Sequence, residues 1–448
     1  MRRIGLLLSL IAAVLASGGS LRAEDATSTT AVAASDSSAS VTTASTAPEP
    51  VAPAQTTSVA SDDDEGITVT PFYSFDWLEG AAIQSVGSWF FGSNYGTSLG
   101  AKAALTPEHA LFGVYDLSYS GPGLRYQEGR EFGDRTIDHN ALLEYQYSGF
   151  AGNTIKTRVL FIKELRRSGP SEVFGSGLYD FWALGGGVLD DIAVRPGLGL
   201  GVGVTYQYFR FPNYSDLLAE FTSAGSAAAL GGMYDYHNIR TQVDAKFKNR
   251  GRSWVAVTVQ QYVHARVKRI VAPFGDSKEK QRDLVGELGG SWLFTTASGP
   301  HGRGSVTPAV RLTLKESNQN YVQPSASLSA TAPGESVADY YSNIGADLNV
   351  PLRWTFNGGV GLGLGLRWVP TFYLGRPPRT VAGSYLRSKS QFNSGVMVTP
   401  ALTVPLSKLS TWSLAWTYQM QSSNNKFERF LPYNYSGNFV YTTFNITY

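Results

Sequence analysis

Along residues 198–211 the chain reads LGLGVGVTYQYFRF, with a large apolar or aromatic residue at every second position. Leu198, Leu200, Val202, Val204, Tyr206 and Tyr208 share one parity, and Gly199, Gly201, Gly203, Thr205 and Gln207 share the other. A side-chain period of two belongs to a β-strand, not a helix. The alternation recurs at 238–247, where Ile239, Thr241, Val243, Ala245 and Phe247 oppose Asn238, Arg240, Gln242, Asp244 and Lys246. At 360–368 it sets Val360, Leu362, Leu364, Leu366 and Trp368 against Gly361, Gly363, Gly365 and Arg367. The pattern predicts about sixteen strands, over 67–75, 95–105, 110–120, 137–148, 153–163, 178–189, 198–211, 234–247, 253–265, 282–295, 304–314, 339–350, 359–370, 391–404, 411–422 and 436–448.

The connections between these strands alternate in length. Stretches 106–109, 149–152, 190–197, 248–252, 296–303, 351–358 and 405–410 are short, whereas 212–233, 315–338 and 371–390 are much longer. The turn KNRGR at 248–252 predicts Val243 opposite Val257 and Ile239 opposite Gln261, apolar parity against apolar parity. Pro308 and Pro400 fall inside strands, where each removes a ladder donor, so they mark bulges or strand starts. The strand at 178–189 has no clear outer face. Stretch 76–94 is apolar for a loop; it either tucks into an interior, lies on a membrane, or meets another subunit.

The two faces are inverted relative to a soluble sandwich, whose apolar faces meet in a packed interior. Here the face opposite the apolar one is glycine, or carries several charges in one strand. Such a face lines water, and the apolar face meets lipid. The charges on that parity are Lys102, Asp116, Glu144, Lys156, Arg158, Arg240, Asp244, Lys246, Glu287, Arg311, Asp347 and Arg367. They are the candidate lumen lining. Mixed signs there either set a transverse field across a pore or close it with buried ion-pair ladders.

Composition agrees with this reading. The 448 residues include 48 Gly, 24 Tyr and 9 Trp, and charged residues make up 16%. A net charge of +2 argues against a nucleic-acid partner. The absence of Cys removes disulfides and thiolate metal sites. Residues 1–23 read as a secretory signal peptide, with Arg2 and Arg3 ahead of an apolar run too short to span a bilayer. Residues 24–66 are rich in Ser, Thr, Ala, Val and Pro and end in Asp62, Asp63, Asp64 and Glu65. They lack the large apolar groups that would offset ordering entropy, and read as a disordered periplasmic tether.

Catalytic chemistry finds little support. The five His are His109, His139, His237, His264 and His301, and no nucleophile–base motif accompanies them. His237 and His264 fall on opposite faces. No cluster has metal-ligand spacing, and no cofactor is expected. The alternating glycines at 199–203 and 361–365 lie inside strands with no following helix, so they do not form a nucleotide loop.

The final stretch, SGNFVYTTFNITY, places Val440, Thr442, Phe444, Ile446 and Tyr448 on one face and ends on an aromatic ring. This resembles the C-terminal signal of Gram-negative outer-membrane β-barrels. The resemblance implies an all-β, transmembrane, antiparallel up-and-down barrel of about 16 strands over 67–448. It also implies that Phe444, Ile446 and Tyr448 are read by the barrel-assembly machinery. In size the chain is similar to the general porins. That implies passive diffusion of small hydrophilic solutes, residence among outer-membrane lipid and lipopolysaccharide, and a homotrimer. In such porins the third outer loop folds inward; here it is 164–177, with Arg166, Arg167 and Glu172 as constriction candidates. The alternative function is a non-transporting surface protein or adhesin working through its outer loops.

Overall fold

The computed structural model describes residues 67–85, 90–122, 135–167, 173–214, 231–248, 250–269, 276–296, 298–323, 335–428 and 433–448. The expected signal peptide and tether, and Glu172, lie outside the described residues. Among the described residues sixteen antiparallel strands form one closed sheet. They are β1 (Thr68–Gln84), β2 (Phe90–Ala104), β3 (His109–Pro122), β4 (Arg135–Tyr147), β5 (Asn153–Arg167) and β6 (Phe181–Arg195). Then come β7 (Leu198–Arg210), β8 (Tyr236–Phe247), β9 (Gly251–Arg269), β10 (Asp276–Trp292, continued by Phe294–Thr295) and β11 (Arg303–Val306, resuming as Ala309–Ser317). The last are β12 (Asn343–Thr355), β13 (Gly361–Tyr373), β14 (Phe392–Pro405), β15 (Ser410–Ser423) and β16 (Tyr435–Thr447).

Each strand pairs with its neighbours in sequence, and β1 pairs with β16 from Ser74 opposite Thr447 to Gln84 opposite Gly437. Closure leaves no open edge of unpaired amides, the condition for a sheet that crosses lipid. Residues 67 and 448 share one end of the barrel with the short connections 105–108, 148–152, 196–197, 248–250, 296–302, 356–360 and 406–409. We call this the turn end and the opposite one the loop end.

Burial separates the two faces. Glu144, Ala183, Phe209, Tyr236, Asp244, Ala256, Tyr262 and Asp283 are all buried and all lie on the parity that carries the charges. Leu143, Val159, Leu184, Val204, Ile239, Leu364, Trp416 and Val440 lie on the other parity and are exposed. In a closed barrel only the concave face has a second surface to bury it. The charges therefore face inward and the apolar residues outward. This also settles β6: Leu184 and Val188 face out, and Ala183 faces in.

Several expectations need correction. Stretch 76–94 is not an outer loop: β1 runs to Gln84 and β2 starts at Phe90, in unbroken register from Thr68 opposite Ala104 to Ala82 opposite Phe90. The apolar residues of 76–84 and 90–94 are apolar because they are strand. β9 and β10 likewise extend to Arg269 and from Asp276, so two connections at the loop end are short. The β8–β9 register is two residues tighter than expected. Val243 faces Val255 and Ile239 faces Val259, because the turn closes directly at Phe247 opposite Gly251. Gly251 supports this with φ +123°. A slip of two leaves every side chain on its face, so the parity argument survives. Pro308 interrupts β11 without shifting its register, while Pro400 stays in register opposite Leu364. The bulges lie elsewhere, between Ala193 and Arg195 and between Ser277 and Arg282. β12 continues through Pro351 to Thr355, so the following turn starts at Phe356.

Candidate lumen and its lining

The inner wall is organised in sets of ion pairs that run around the barrel from β4 to β13. Glu144 on β4 stands directly opposite Arg158 on β5, and the two are ion-paired. Lys156 reaches Asp191 on β6 at 2.8 Å, and Lys246 on β8 reaches the same carboxylate at 2.7 Å. Lys246 must cross β7 to do so. It can because Gly199 and Gly201 face it there, leaving no side chain in the way. A Cβ on Gly201 would lie 2.8 Å from both carboxylate oxygens of Asp244. The glycine face of β7 is thus the floor over which neighbouring strands exchange charge.

The pattern repeats across β9. Arg240 on β8 extends past Thr258 to pair with Glu287 on β10. Further round, Lys315 on β11 meets Asp283 on β10 at 3.0 Å. Asp283 is fully buried and also accepts from the Ser317 hydroxyl at 2.6 Å and the Gln281 amide at 3.0 Å. Asp347 on β12 closes the series: it binds Arg367 on β13 through two bonds of 2.8 Å and lies 3.5 Å from Arg311 on β11.

Ten of the twelve candidate lining residues therefore take part in ion pairs, Lys156 with Asp191, a residue that alternation had not singled out, and these pairs run along the wall. The cation is generally the more exposed member. Arg311 is 47% exposed against 20% for Asp347, and Lys246 36% against 8% for Asp244. The carboxylates form the base and the cations cover them. Lys102 on β2 and Asp116 on β3 stand outside this belt, and no ion pair joins either among the described residues. Lys102 is exposed. On the same arc Asp76 of β1 faces inward, exposed, and accepts a hydrogen bond from Asn445. From β14 to β16 the inward positions are small or uncharged, such as Thr399, Ala401, Ser413, Thr417 and Thr443. The lining is thus charged and paired over one arc, and sparsely charged over the rest.

The constriction candidates fall otherwise than expected. β5 continues to pair with β4 through Arg167 opposite Arg135, so Arg166 and Arg167 belong to the wall and not to an inbent loop. Their parities differ: Arg166 faces in and Arg167 faces out. The connection that follows is tied to the wall instead. Asp180 accepts from the Arg166 amide at 2.5 Å and the Gly177 amide at 3.1 Å. Asn213 of the β7–β8 connection donates to Gly175 O at 3.0 Å and Gly177 O at 3.1 Å.

This side of the mouth is lined by an inward aromatic cluster that alternation alone did not single out. Ala183, Phe209, Phe211, Tyr236 and Tyr262 are buried together, with Ile162, Phe181, Tyr214 and Tyr234 packed against them. Phe209 and Tyr236 stack with ring centroids 4.7 Å apart. The sequence signal was present: at the loop ends of β6 to β9 the inward parity changes from glycine and charge to rings. Across the mouth, the β13–β14 connection is locked by its own arginines. Arg376 lies 4.5 Å from the Tyr340 ring and 4.8 Å from that of Tyr373. Arg379 lies 4.3 Å from the Tyr385 ring, and its amide donates to Asn425 at 2.9 Å. Burial pushes the Tyr340 hydroxyl well above its usual pKa, with Arg376 pulling the other way, so it stays neutral beneath the guanidinium.

Three of the five histidines, His109, His139 and His237, sit on the outer face, each against a tyrosine. His139 bonds Tyr115 at 2.7 Å, His237 bonds Tyr206 at 2.9 Å, and His109 bonds Tyr145 at 2.5 Å. At the seam, Phe444 stands opposite Trp77 and Ile446 opposite Phe75, all outward, while the Tyr448 side chain is 70% exposed.

An apolar outer face, a polar inner face and complete closure define a transmembrane β-barrel. No known family matches the sequence, and no curated protein does either. Among solved structures, OmpF of Salmonella typhi in complex with daunomycin is similar at 11% identity, with 85% of this chain and 98% of that chain covered and a TM-score of 0.44. A loop-deletion mutant of OmpT, an outer-membrane protein of Vibrio cholerae, is similar at 10% identity, over 85% and 99% of the chains, with a TM-score of 0.42. An anion-selective porin from Comamonas acidovorans is similar at 10% identity, over 86% and 100%, with a TM-score of 0.38.

Proposed function

We propose that this chain is an outer-membrane channel for passive diffusion of small hydrophilic solutes through a mixed-charge lumen. The observation that carries the reading is the inner wall itself. Its ion pairs are satisfied sideways within the sheet, so they line the interior without bridging it, and exposed charges such as Lys102, Asp76 and Arg311 face the enclosed space. A barrel of this strand number is wide enough for an aqueous passage unless something fills it. The wall positions charge along a path, and nothing in the reading assigns it a catalytic group. Seating among lipopolysaccharide, delivery by the barrel-assembly machinery through Phe444, Ile446 and Tyr448, and a homotrimer belong to the same proposal. Cross-linking of the purified protein counts the subunits.

A second reading has its own observation. The aromatic cluster at the mouth and the arginine-locked β13–β14 connection stiffen the loop end, as a surface protein working through its loops requires. Liposome swelling separates the two. A channel admits small sugars at rates that fall with sugar size, and a plugged surface protein gives no swelling with any of them.

A further inference from the structure

On the outer surface, near the loop end of β5, β6 and β7, three residues stand side by side. Lys163 is opposite Trp182, and Trp182 is opposite Arg210. His139 on β4 extends the row beside Lys163. Their parity is that of Phe161, Leu184 and Tyr206, which are exposed on the apolar outer face. The Arg210 guanidinium lies 5.9 Å from the Trp182 ring. With neighbouring strands about 4.8 Å apart, the stems of Lys163 and Arg210 are about 10 Å apart with the indole between them.

Both cations are exposed, and neither has a carboxylate at ion-pair distance among the described residues. Asp235, ahead of β8, is buried and committed to the Tyr208 hydroxyl at 3.0 Å and the Phe211 amide at 2.7 Å. Glu164, next to Lys163 in the chain, points to the inner face. Two cations without a carboxylate partner among the described residues, at the edge of an apolar band, favour an anion that is itself held at that depth. Tryptophan is the ring that settles at the boundary between acyl chain and headgroup. A phosphate with acyl chains attached meets all three demands: charge-assisted bonds from Lys and Arg, an interfacial ring, and apolar surface below.

We propose that Lys163, Trp182 and Arg210 form a headgroup site for a phosphate-bearing lipid of the leaflet at the loop end. The phosphate lies between the two cations, and the acyl chains run down over Phe161, Leu184 and Tyr206. The site lies outside the lumen and is independent of the channel reading; it requires only that the barrel stand in a bilayer.

The test is native mass spectrometry of the purified full chain in non-ionic detergent, with short-chain phosphatidic acid and the diacylglycerol of the same chains as probes. The wild-type protein should retain phosphatidic acid about tenfold better than diacylglycerol, the worth of one charge-assisted bond. Lys163→Gln and Arg210→Gln should each lose most of that preference, the double variant all of it, and Arg210→Lys should keep it. Folding of each variant is checked by heat-modified gel migration, and the single variants carry the test if the double one misfolds. Equal retention of the two lipids by the wild-type protein, or an undiminished preference in both single variants, would overturn the site. Flotation with neutral vesicles tests membrane residence separately: a chain that floats yet shows no phosphate preference contradicts the lipid site alone.

Discussion

The amide of Tyr448, the last residue of the sequence, donates to Tyr73 O at 2.8 Å, and the amide of Tyr73 donates back to Tyr448 O at 3.0 Å. This reciprocal pair is the turn-end terminus of the β1–β16 seam that closes the barrel. The ring of Tyr448 does little packing, being largely exposed, so its residue matters through backbone and position.

Deleting Tyr448 removes both bonds. The net worth of each is about 1 kcal/mol, too little to unfold the barrel once formed. The expected outcome is a severalfold drop in membrane-inserted, heat-modifiable protein, with unchanged conductance in the molecules that do insert. Gel migration of membrane fractions checks the first part and bilayer recording the second. Normal membrane levels would contradict the role of the closing residue.

Gly201→Leu should destabilise the barrel by about 1–3 kcal/mol, the usual cost of forcing a side chain into occupied space. The occupied space is the Asp244 carboxylate, and its displacement also disturbs Lys246. Gly199→Ala is the control, since its new Cβ would meet nothing closer than 3.7 Å. Urea unfolding in detergent should separate the two variants clearly.

How far these features could be read from the sequence depends on what set them. Alternation such as 198–211 identified strands and the charge-bearing face, because that face is imposed by a period the backbone enforces. Strand ends were less legible. The β1–β2 hairpin extends through Asp76 and Asn94 since pairing across it continues, and pairing is a property of two segments at once. The partner choices in the lining were also hidden. Lys246 and Asp191 are far apart in sequence and meet only because β7 presents glycine between them. Arg166 and Arg167 were assigned to a loop by analogy of position, while the ladder to β4 keeps them in the wall.

Asp347→Asn removes the one carboxylate that holds both Arg311 and Arg367. Two cations then face the lumen without compensation, and its fixed charge rises by one. Selectivity should move toward anions by a severalfold change in permeability ratio. The reversal potential across a salt gradient reads this directly, and a shift toward cations would contradict the assignment of this face to the lumen.

Lys102 is exposed and has no ion-pair partner among the described residues, whereas Lys315 is 14% exposed against Asp283 and Lys156 19% exposed against Asp191. A hydrophilic amine reagent entering the barrel should therefore modify Lys102 well before Lys156 and Lys315. Peptide mass mapping after graded labelling gives the order. Equal protection of all three would mean that water and reagent do not reach this arc.

The central claim is that the enclosed space is a continuous aqueous path. Single-channel recording of the purified, folded barrel in a planar lipid bilayer tests it most directly. Discrete, stepwise openings with current linear in salt concentration are the predicted result. A folded, inserted barrel that shows no openings over the accessible voltage range would contradict it, and would leave the loop end as the working part of the molecule.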